Sequence, residues 1–555
     1  MAKQLVDSRS KPALLQELAV FSVPSTSNEI DRMKRIVYQP TSSLSGARTV
    51  EFIIPPTDDY IDISRTIFDG VFRIVHKSGQ EISSIVEPVA PIPGIGHNWY
   101  SRLEIYAGDV LIESTGTLAP YNNYFTLLSH FGSDALHTQF ASAGYYMDPP
   151  FKMENFNIAG QTKPTPPASD AAAAGSGNNT DESESVGDEP DVENIHANVN
   201  GDENQNQNQN QQPGSSTTTT TTGTTGTTTT TTSTTTTTTP SSSSGAGAGA
   251  GSPQSRAGEE STTTSKPELF REHETNTMWN HRRKQFATSK DVQLTAPIIS
   301  SITNQTRFLP GRLGLRFKFT KHDDQFLLMY PKQEDSYSLE IVKAELRIYK
   351  AVLDTNKLLA MEMVMRQKPA VIPLQRTQMT YHIIPASVTD YGFPNLCLGT
   401  LPTRMLFAFV TNKAYNGVGF LHPFNFQHFR LNEVRVSVNG QPALESPLRM
   451  DYIHHQYNDG YHSFLNTTRC YKRDISRPIT LHGYIGGNAI YGMDFSNDLR
   501  SSSGIVYAPL QTGTLSMDLR WQRPVTEPIV MICQFFFDSQ LNINSDRSLE
   551  FDYSA

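Results

Sequence analysis

One block of this chain occurs twice. Leu103-Glu104-Ile105-Tyr106-Ala107-Gly108-Asp109-Val110-Leu111-Ile112-Glu113-Ser114 aligns without a gap on Arg435-Val436-Ser437-Val438-Asn439-Gly440-Gln441-Pro442-Ala443-Leu444-Glu445-Ser446. Each copy reads as an alternating strand, a two-residue turn (Ala107-Gly108 or Asn439-Gly440) and a returning strand. Downstream of each, aromatic and apolar residues recur at helical spacing: Tyr121, Tyr124, Leu128 and Phe131 in one, Ile453, Tyr457, Tyr461 and Phe464 in the other. A repeat separated by this much chain predicts one β-rich domain, duplicated and fused.

A second echo points the same way. Gly311-Arg312-Leu313-Gly314-Leu315-Arg316-Phe317 leads into apolar strands expected at Phe326–Met329 and Leu339–Val342. Gly513-Thr514-Leu515-Ser516-Met517-Asp518-Leu519-Arg520-Trp521 leads into strands expected at Ile529–Cys533 and Leu541–Ile543. Both halves thus run hairpin, helix, long loop and closing strands. The chain has 555 residues, too many for a single core, so two β-domains of about 200 residues each are expected.

Residues 1–45 read as an arm, with a short helical patch at Ala13-Leu14-Leu15-Gln16-Glu17-Leu18 followed by turn-rich sequence. Strands are expected at Thr49–Ile54, Tyr60–Ile63 and Val71–His76, and the stretch Ala351–Lys368 as a helical connector. Between 161 and 266 the composition shifts to Asn and Gln, a Thr run from Thr217 to Thr239, and Gly-Ala alternation. Such sequence has too little apolar surface to offset chain entropy and is expected to be disordered. It interrupts the first domain, which a long loop can do at a closure cost rising only logarithmically with length.

That segment also accounts for the charge. It carries 12 acidic residues against Lys163, Arg256 and Lys266, matching the whole chain's net charge of −9 and leaving the remainder near neutral. A neutral body argues against a surface that coats nucleic acid, whose affinity comes from neutralising phosphates. The basic triplet Arg282-Arg283-Lys284 reads as an ordinary loop charge cluster. Three well-separated cysteines, Cys397, Cys470 and Cys533, do not form a disulfide scaffold, and folding in a reducing compartment is expected. The start of the chain has no apolar leader pattern and no apolar run reaches membrane-spanning length, so a protein without stable membrane insertion is expected.

The residues that could carry catalysis do not predict an active site. Asp58, Asp59 and Asp62 flank a turn and read as solvated acids, not a catalytic pair. His273 lacks a second histidine four residues on. His454 and His455 are adjacent, so on a helix they would face different sides and share no metal. Gly483, Gly486 and Gly487 have no accompanying Lys-Ser/Thr of a phosphate loop. The sequons at Asn178, Asn304 and Asn466 carry little weight in a chain without a secretory leader. No catalytic, cofactor-binding or metal residue and no cofactor is expected, and the protein reads as a non-enzyme.

Several motifs together resemble one family. They are Glu17-Leu18-Ala19-Val20-Phe21-Ser22-Val23-Pro24-Ser25-Thr26, Tyr60-Ile61-Asp62-Ile63, Ala119-Pro120-Tyr121-Asn122-Asn123-Tyr124, Leu406–Asn412 with Gly417 and His422-Pro423-Phe424-Asn425-Phe426, Tyr491–Asp498, and Ile543–Arg547 with Phe551-Asp552-Tyr553. In order and spacing these are similar to the double jelly-roll major capsid protein of Maverick/Polinton-type elements and adintovirus-like viruses. Phe495 and Asn497 depart from that pattern, where Leu and Pro are usual, as does the large insertion.

The resemblance implies a mainly β fold of two tandem jelly-roll β-sandwiches with short helices and a long disordered insertion in the first. It implies boundaries at 1–45 for the arm, 46–350 for the first roll, 351–369 for the connector and 370–555 for the second roll. Function follows as a structural capsid protein: a homotrimer of pseudo-hexameric outline, tiling an icosahedral shell around double-stranded DNA. Its implied partners are neighbouring capsomers, penton and minor capsid proteins, with no sequence-specific nucleic-acid binding. Its implied place is the virion, after synthesis in host cytoplasm and assembly in the nucleus, with the arm on the inner side and the Thr-rich loop on the outer face. Two other classes compete: a carbohydrate-binding or adhesive β-sandwich protein with a mucin-like Thr tract, and a sandwich-fold hydrolase needing converging carboxylates or a nucleophile set.

Overall fold

A computed structural model describes residues 28–156, 276–331, 336–444, 446–471, 473–499, 501 and 507–551. The helical patch at 13–18, the low-complexity stretch, His273, Asn178, Glu445 and the Asp552-Tyr553 motif lie outside the described residues.

The first half contributes β1 (Ile30–Tyr38), β2 (Thr49–Ile54), β3 (Tyr60–His76), β4 (Ala90–Pro91), β5 (Tyr100–Ala107), β6 (Val110–Ser114), β7 (Val292–Pro297), β8 (Leu315–Lys321), β9 (Leu328–Met329) and β10 (Tyr337–Leu353). The second contributes β11 (Ala370–Ile384), β12 (Asp390–Thr400), β13 (Arg404–Thr411), β14 (Leu431–Val438), β15 (Gln441–Pro442), β16 (Leu448–Arg449), β17 (Ile490–Asp494), β18 (Thr512–Trp521), β19 (Ile529–Ile543) and β20 (Leu549–Phe551).

Sheet order reveals the duplication. The first half forms sheets β1-β10-β3-β7 and β2-β8-β5-β6, and the second forms β11-β19-β13-β17 and β12-β18-β14-β15. Matched by place, β1, β2, β3, β5, β6, β7, β8 and β10 correspond to β11, β12, β13, β14, β15, β17, β18 and β19, in the same chain order. All named strand pairs are antiparallel. Eight strands wound this way into two packed sheets make a jelly roll, and the protein is a double jelly roll.

Alternation builds each sandwich. Val50, Phe52 and Ile54 of β2, and Leu315, Phe317 and Phe319 of β8, turn inward. There Phe319 lies 5.7 Å from Phe68 of the opposite sheet and 5.4 Å from Trp99. In the second roll Leu515, Met517, Leu519 and Trp521 of β18 do the same, and Trp521 meets Phe409 of the opposite sheet at 6.1 Å.

The repeated hairpins are β5-β6 and β14-β15. Asn439 (φ 52°) and Gly440 (φ 79°) form the second turn, with Val438 paired to Gln441. The first differs from expectation by one residue: Ala107 pairs with Val110, so the turn is Gly108-Asp109, and a bulge beyond Tyr106 absorbs the shift.

Other expectations need correction. Residues 30–38, read as turn-rich arm, form β1, an edge strand whose charges Asp31, Arg32, Lys34 and Arg35 mask its alternation. Phe326 and Leu327 end a one-turn helix, Asp324–Leu327, and only Leu328-Met329 is strand. β19 is one strand through Ile543 because its central polar residues Gln534 and Asp538 find buried partners. The second Tyr-rich helix spans Asn458–Thr467, so Ile453 and Tyr457 precede it. A helix, Thr355–Met365, occupies the stretch between β10 and β11. Among the described residues no helix is long and apolar enough to cross a membrane.

Candidate assembly surfaces

The two rolls meet along a seam built mainly by one helix. Ala119–His130 begins with Pro120 in its first turn and buries every residue from Ala119 to Ser129. Its apolar residues and its Asn and Thr side chains are both enclosed, and the second roll supplies the cover on the outer side. Tyr124 stacks on Phe424 (ring centroids 4.3 Å, 13°) and Phe125 on Phe426 (5.2 Å, 6°), while Tyr121 meets Phe424 edge-on at 5.6 Å. Such pairs contribute about 1 kcal/mol each beyond their buried area. Gln534 of β19 donates to Asn122 Oδ1 (2.9 Å) and Thr126 Oγ1 (3.2 Å), which satisfies its amide nitrogen deep in the strand.

This cover explains a difference between the matched sheets. β13 is buried from Arg404 to Val410 and β19 from Ile529 to Ser539, so both faces of these strands are covered. The equivalent sheet of the first roll carries a polar outer face: Asp69 accepts from Gln293 Nε2 (3.0 Å) and Thr295 Oγ1 (2.8 Å) and pairs with Arg347.

A buried ionic cluster pins the same seam. Arg282, from the helix Thr277–Phe286, donates to both carboxylate oxygens of Asp148 at 3.0 and 2.9 Å, and also to Pro91 O and Tyr146 O. From the second roll, His422 Nε2 lies 2.8 Å from Asp148 Oδ2, while His422 Nδ1 accepts from the Phe424 amide at 3.0 Å. That acceptor role assigns the proton to Nε2, so a neutral imidazole donates to Asp148 and the cluster's charges balance. Burial works to raise the Asp148 carboxyl, but Arg282 and the His422 hydrogen bond outweigh it and hold it below the usual carboxylate value. The expectation that Arg282-Arg283-Lys284 is a loop charge cluster is thus overturned. Arg282 and Arg283 are buried helix residues, and Arg283 donates to Ile85 O at 2.7 Å.

Arg404, at the start of β13, is also buried. Its guanidinium lies 3.8 Å over the Phe536 ring and donates to Gln375 Oε1 at 2.8 Å, and His130 Nε2 of the first roll sits 3.3 Å away. Burial lowers its pKa to about 10. Glycines complete the contact. Gly486 O accepts from the Phe151 amide at 2.8 Å, and a Cβ on Gly486 would stand 2.5 Å from Pro150 Cβ. Gly487 has φ +124°. These glycines allow close approach between rolls.

The remaining residues weighed from sequence stay apart. Asp58 pairs with Arg312 and Asp59 with Lys34, whereas Asp62 is not solvated but buried in β3, hydrogen-bonded to Ser64. His454 lies in a turn, not a helix, and its Nδ1 is 2.7 Å from Asp451 Oδ2. Among the described residues no three His, Cys, Asp or Glu side chains gather as metal ligands. Cys397, Cys470 and Cys533 are free thiols. Sequence reading missed Asp148, Arg282 and His422. The available signal was Trp279 and Phe286, three residues before and four after Arg282, which place it on the apolar face of its helix.

Two unlike flanks are left uncovered by the described residues. The second roll's counterpart of the buried helix, Asn458–Thr467, lies with neighbouring apolar residues at the surface: Ile453 is 46% exposed, Ile475 48% and Leu481 39%. The other flank is the polar sheet around Asp69 and Arg347.

Fold comparison agrees with this architecture. The chain is similar to one in the 3.5 Å cryo-EM structure of the Sputnik virophage, with a TM-score of 0.52, 9% identity, and coverage of 100% of this chain and 94% of that one. It also aligns with PBCV-1 VP54 fitted into a reconstruction of Sputnik, at a TM-score of 0.49 and 9% identity, over 96% of this chain and 100% of that one. In sequence it is 21% identical over 173 residues to the "Uncharacterized protein F54H12.2" of Caenorhabditis elegans, covering 30% of this chain and 41% of that protein's length. No protein-family model matches the chain.

Proposed function

We propose that the protein is a structural major capsid protein whose chains close as homotrimers into capsomers with six lobes. These tile an icosahedral shell around the double-stranded DNA of a virus, or of a virus-like element of the Maverick/Polinton and adintovirus kind. One observation carries the reading. Two rolls of the same topology are joined through unlike surfaces, the Ala119–His130 helix of the first against the β13-β19 sheet of the second. Repeating that relationship sets the Asn458–Thr467 flank of one chain beside the Asp69–Arg347 sheet of the next. A contact between unlike surfaces closes into a ring when its rotation divides a full turn, and the proposal requires one third of a turn per chain.

The likeness in fold to a chain of the Sputnik virophage supports the reading. The two unlike free flanks suit a lattice protein that works by contact. Neighbouring capsomers, penton and minor capsid proteins are its proposed partners, and the virion its proposed place. Where the described chain breaks off after β6 and resumes before β7, the Asn276 amide donates to Asn155 O at 3.3 Å.

Electron microscopy of the purified protein tests the proposal. Class averages should show particles with threefold symmetry and six lobes; isolated two-lobed particles at micromolar concentration would overturn it.

A further inference from the structure

The helix Thr355–Met365 exposes an apolar face that the described residues leave uncovered. Its inner side is fixed: Arg547 donates to Glu362 Oε1 at 2.5 Å, and Met365 is buried. Its outer side presents Leu359 (54% exposed), Met361 (46%), Met363 (61%) and Val364 (47%) together with Ala360. Leu359 with Met363 and Ala360 with Val364 are spaced by four, so they form two adjacent rows along the helix. A helix that is apolar on its outer side as well as its inner side is ordinarily a covered helix, and methionines suit a surface that accepts a partner.

The chain's own course points to the cover. The described residues begin at Asn28, and the Glu29 carbonyl accepts from the amide of Asp354, the N-cap of this helix, at 3.4 Å. Ile30 pairs with Leu353 just before it. The described chain therefore begins beside the N-terminal end of the exposed helix, with 27 residues preceding it in the sequence. They contain an apolar row at helical spacing, Leu14, Leu18 and Phe21, flanked by Leu15 and Ala19.

We propose that this row, in the same chain, covers Leu359, Met361, Met363 and Val364. The tether is long enough. Seven residues from Phe21 to Asn28 span up to about 23 Å, whereas the 11-residue helix is about 16 Å long. A segment held this way has an effective concentration on the order of millimolar, above that of a free competitor.

Methionine oxidation by dilute peroxide, read by peptide mass spectrometry, tests the contact. Met278, 37% exposed and on another helix, serves as the internal reference. Against that reference, Met361 and Met363 should oxidise about five-fold more slowly in the full chain than in the Leu14→Asp/Leu18→Asp variant, and a chain lacking residues 1–27 should match the variant. Equal rates in all three proteins would overturn the proposal. Protection present in an oligomer and absent in monomers separated by dilution would also overturn it, because the cover would then come from a second copy.

Discussion

Arg282 grips both carboxylate oxygens of Asp148 at 2.9 and 3.0 Å, with each side chain only 1% exposed, and His422 of the other roll donates to the same carboxylate. Removing one partner strands a buried charge. Arg282→Met should lower unfolding free energy by about 3–5 kcal/mol, and adding Asp148→Leu should recover most of it, because an apolar pair of similar volume avoids desolvation. Urea unfolding of the two variants measures the difference. A similar loss in the double variant would mean that the cluster contributes more than its charge balance.

His97 gives stability a pH dependence of known sign. It is 1% exposed against Phe140, and burial pushes its pKa from 6.5 down to about 3. Below 6.5 the unfolded chain gains a proton that the folded one refuses, so this contribution is complete above 6.5 and is lost as pH falls towards 3. The Asp148 carboxylate acts lower: its contribution holds above the ordinary value of 3.8 and is lost as pH falls through the depressed one. In unfolding curves at pH 7, 6, 5 and 4, His97→Leu should flatten the decline between 6.5 and 4 by a few kcal/mol.

Gly486 tests the closeness of the seam. A methyl there meets Pro150 Cβ at 2.5 Å with no flexible side chain to give way. Gly486→Ala should cost about 1–3 kcal/mol and speed cleavage in the segment 149–156, followed by limited proteolysis. An unchanged melting temperature would show that the seam yields there.

Much of the fold is legible in the sequence, for local reasons. Asn439-Gly440 supplies two residues able to take positive φ, which sets a hairpin and its register. Val50, Phe52 and Ile54 spell a strand with one buried face. The seam is not legible in this way, because its pairs lie far apart in the chain: Gln534 answers Asn122, and His422 answers Asp148. Gln534 and Asp538 break the apolar run of β19 on paper, yet both are buried with partners, Asp538 accepting from the Ala508 amide at 3.0 Å. Arg282 looked exposed because a charge is usually solvated.

The uncovered flank separates assembly from folding. Ile475 and Leu481 are 48% and 39% exposed, so Ile475→Asp with Leu481→Asp should leave the melting temperature within about 1 °C. The same pair should block trimer formation, read by analytical ultracentrifugation. Trimers formed at wild-type concentrations would move the contact elsewhere.

The molar mass in solution tests the central claim most directly. Size-exclusion chromatography with light scattering on the purified chain should give three times its 61.7 kDa. A stable species of 61.7 kDa that persists as concentration rises would contradict the account.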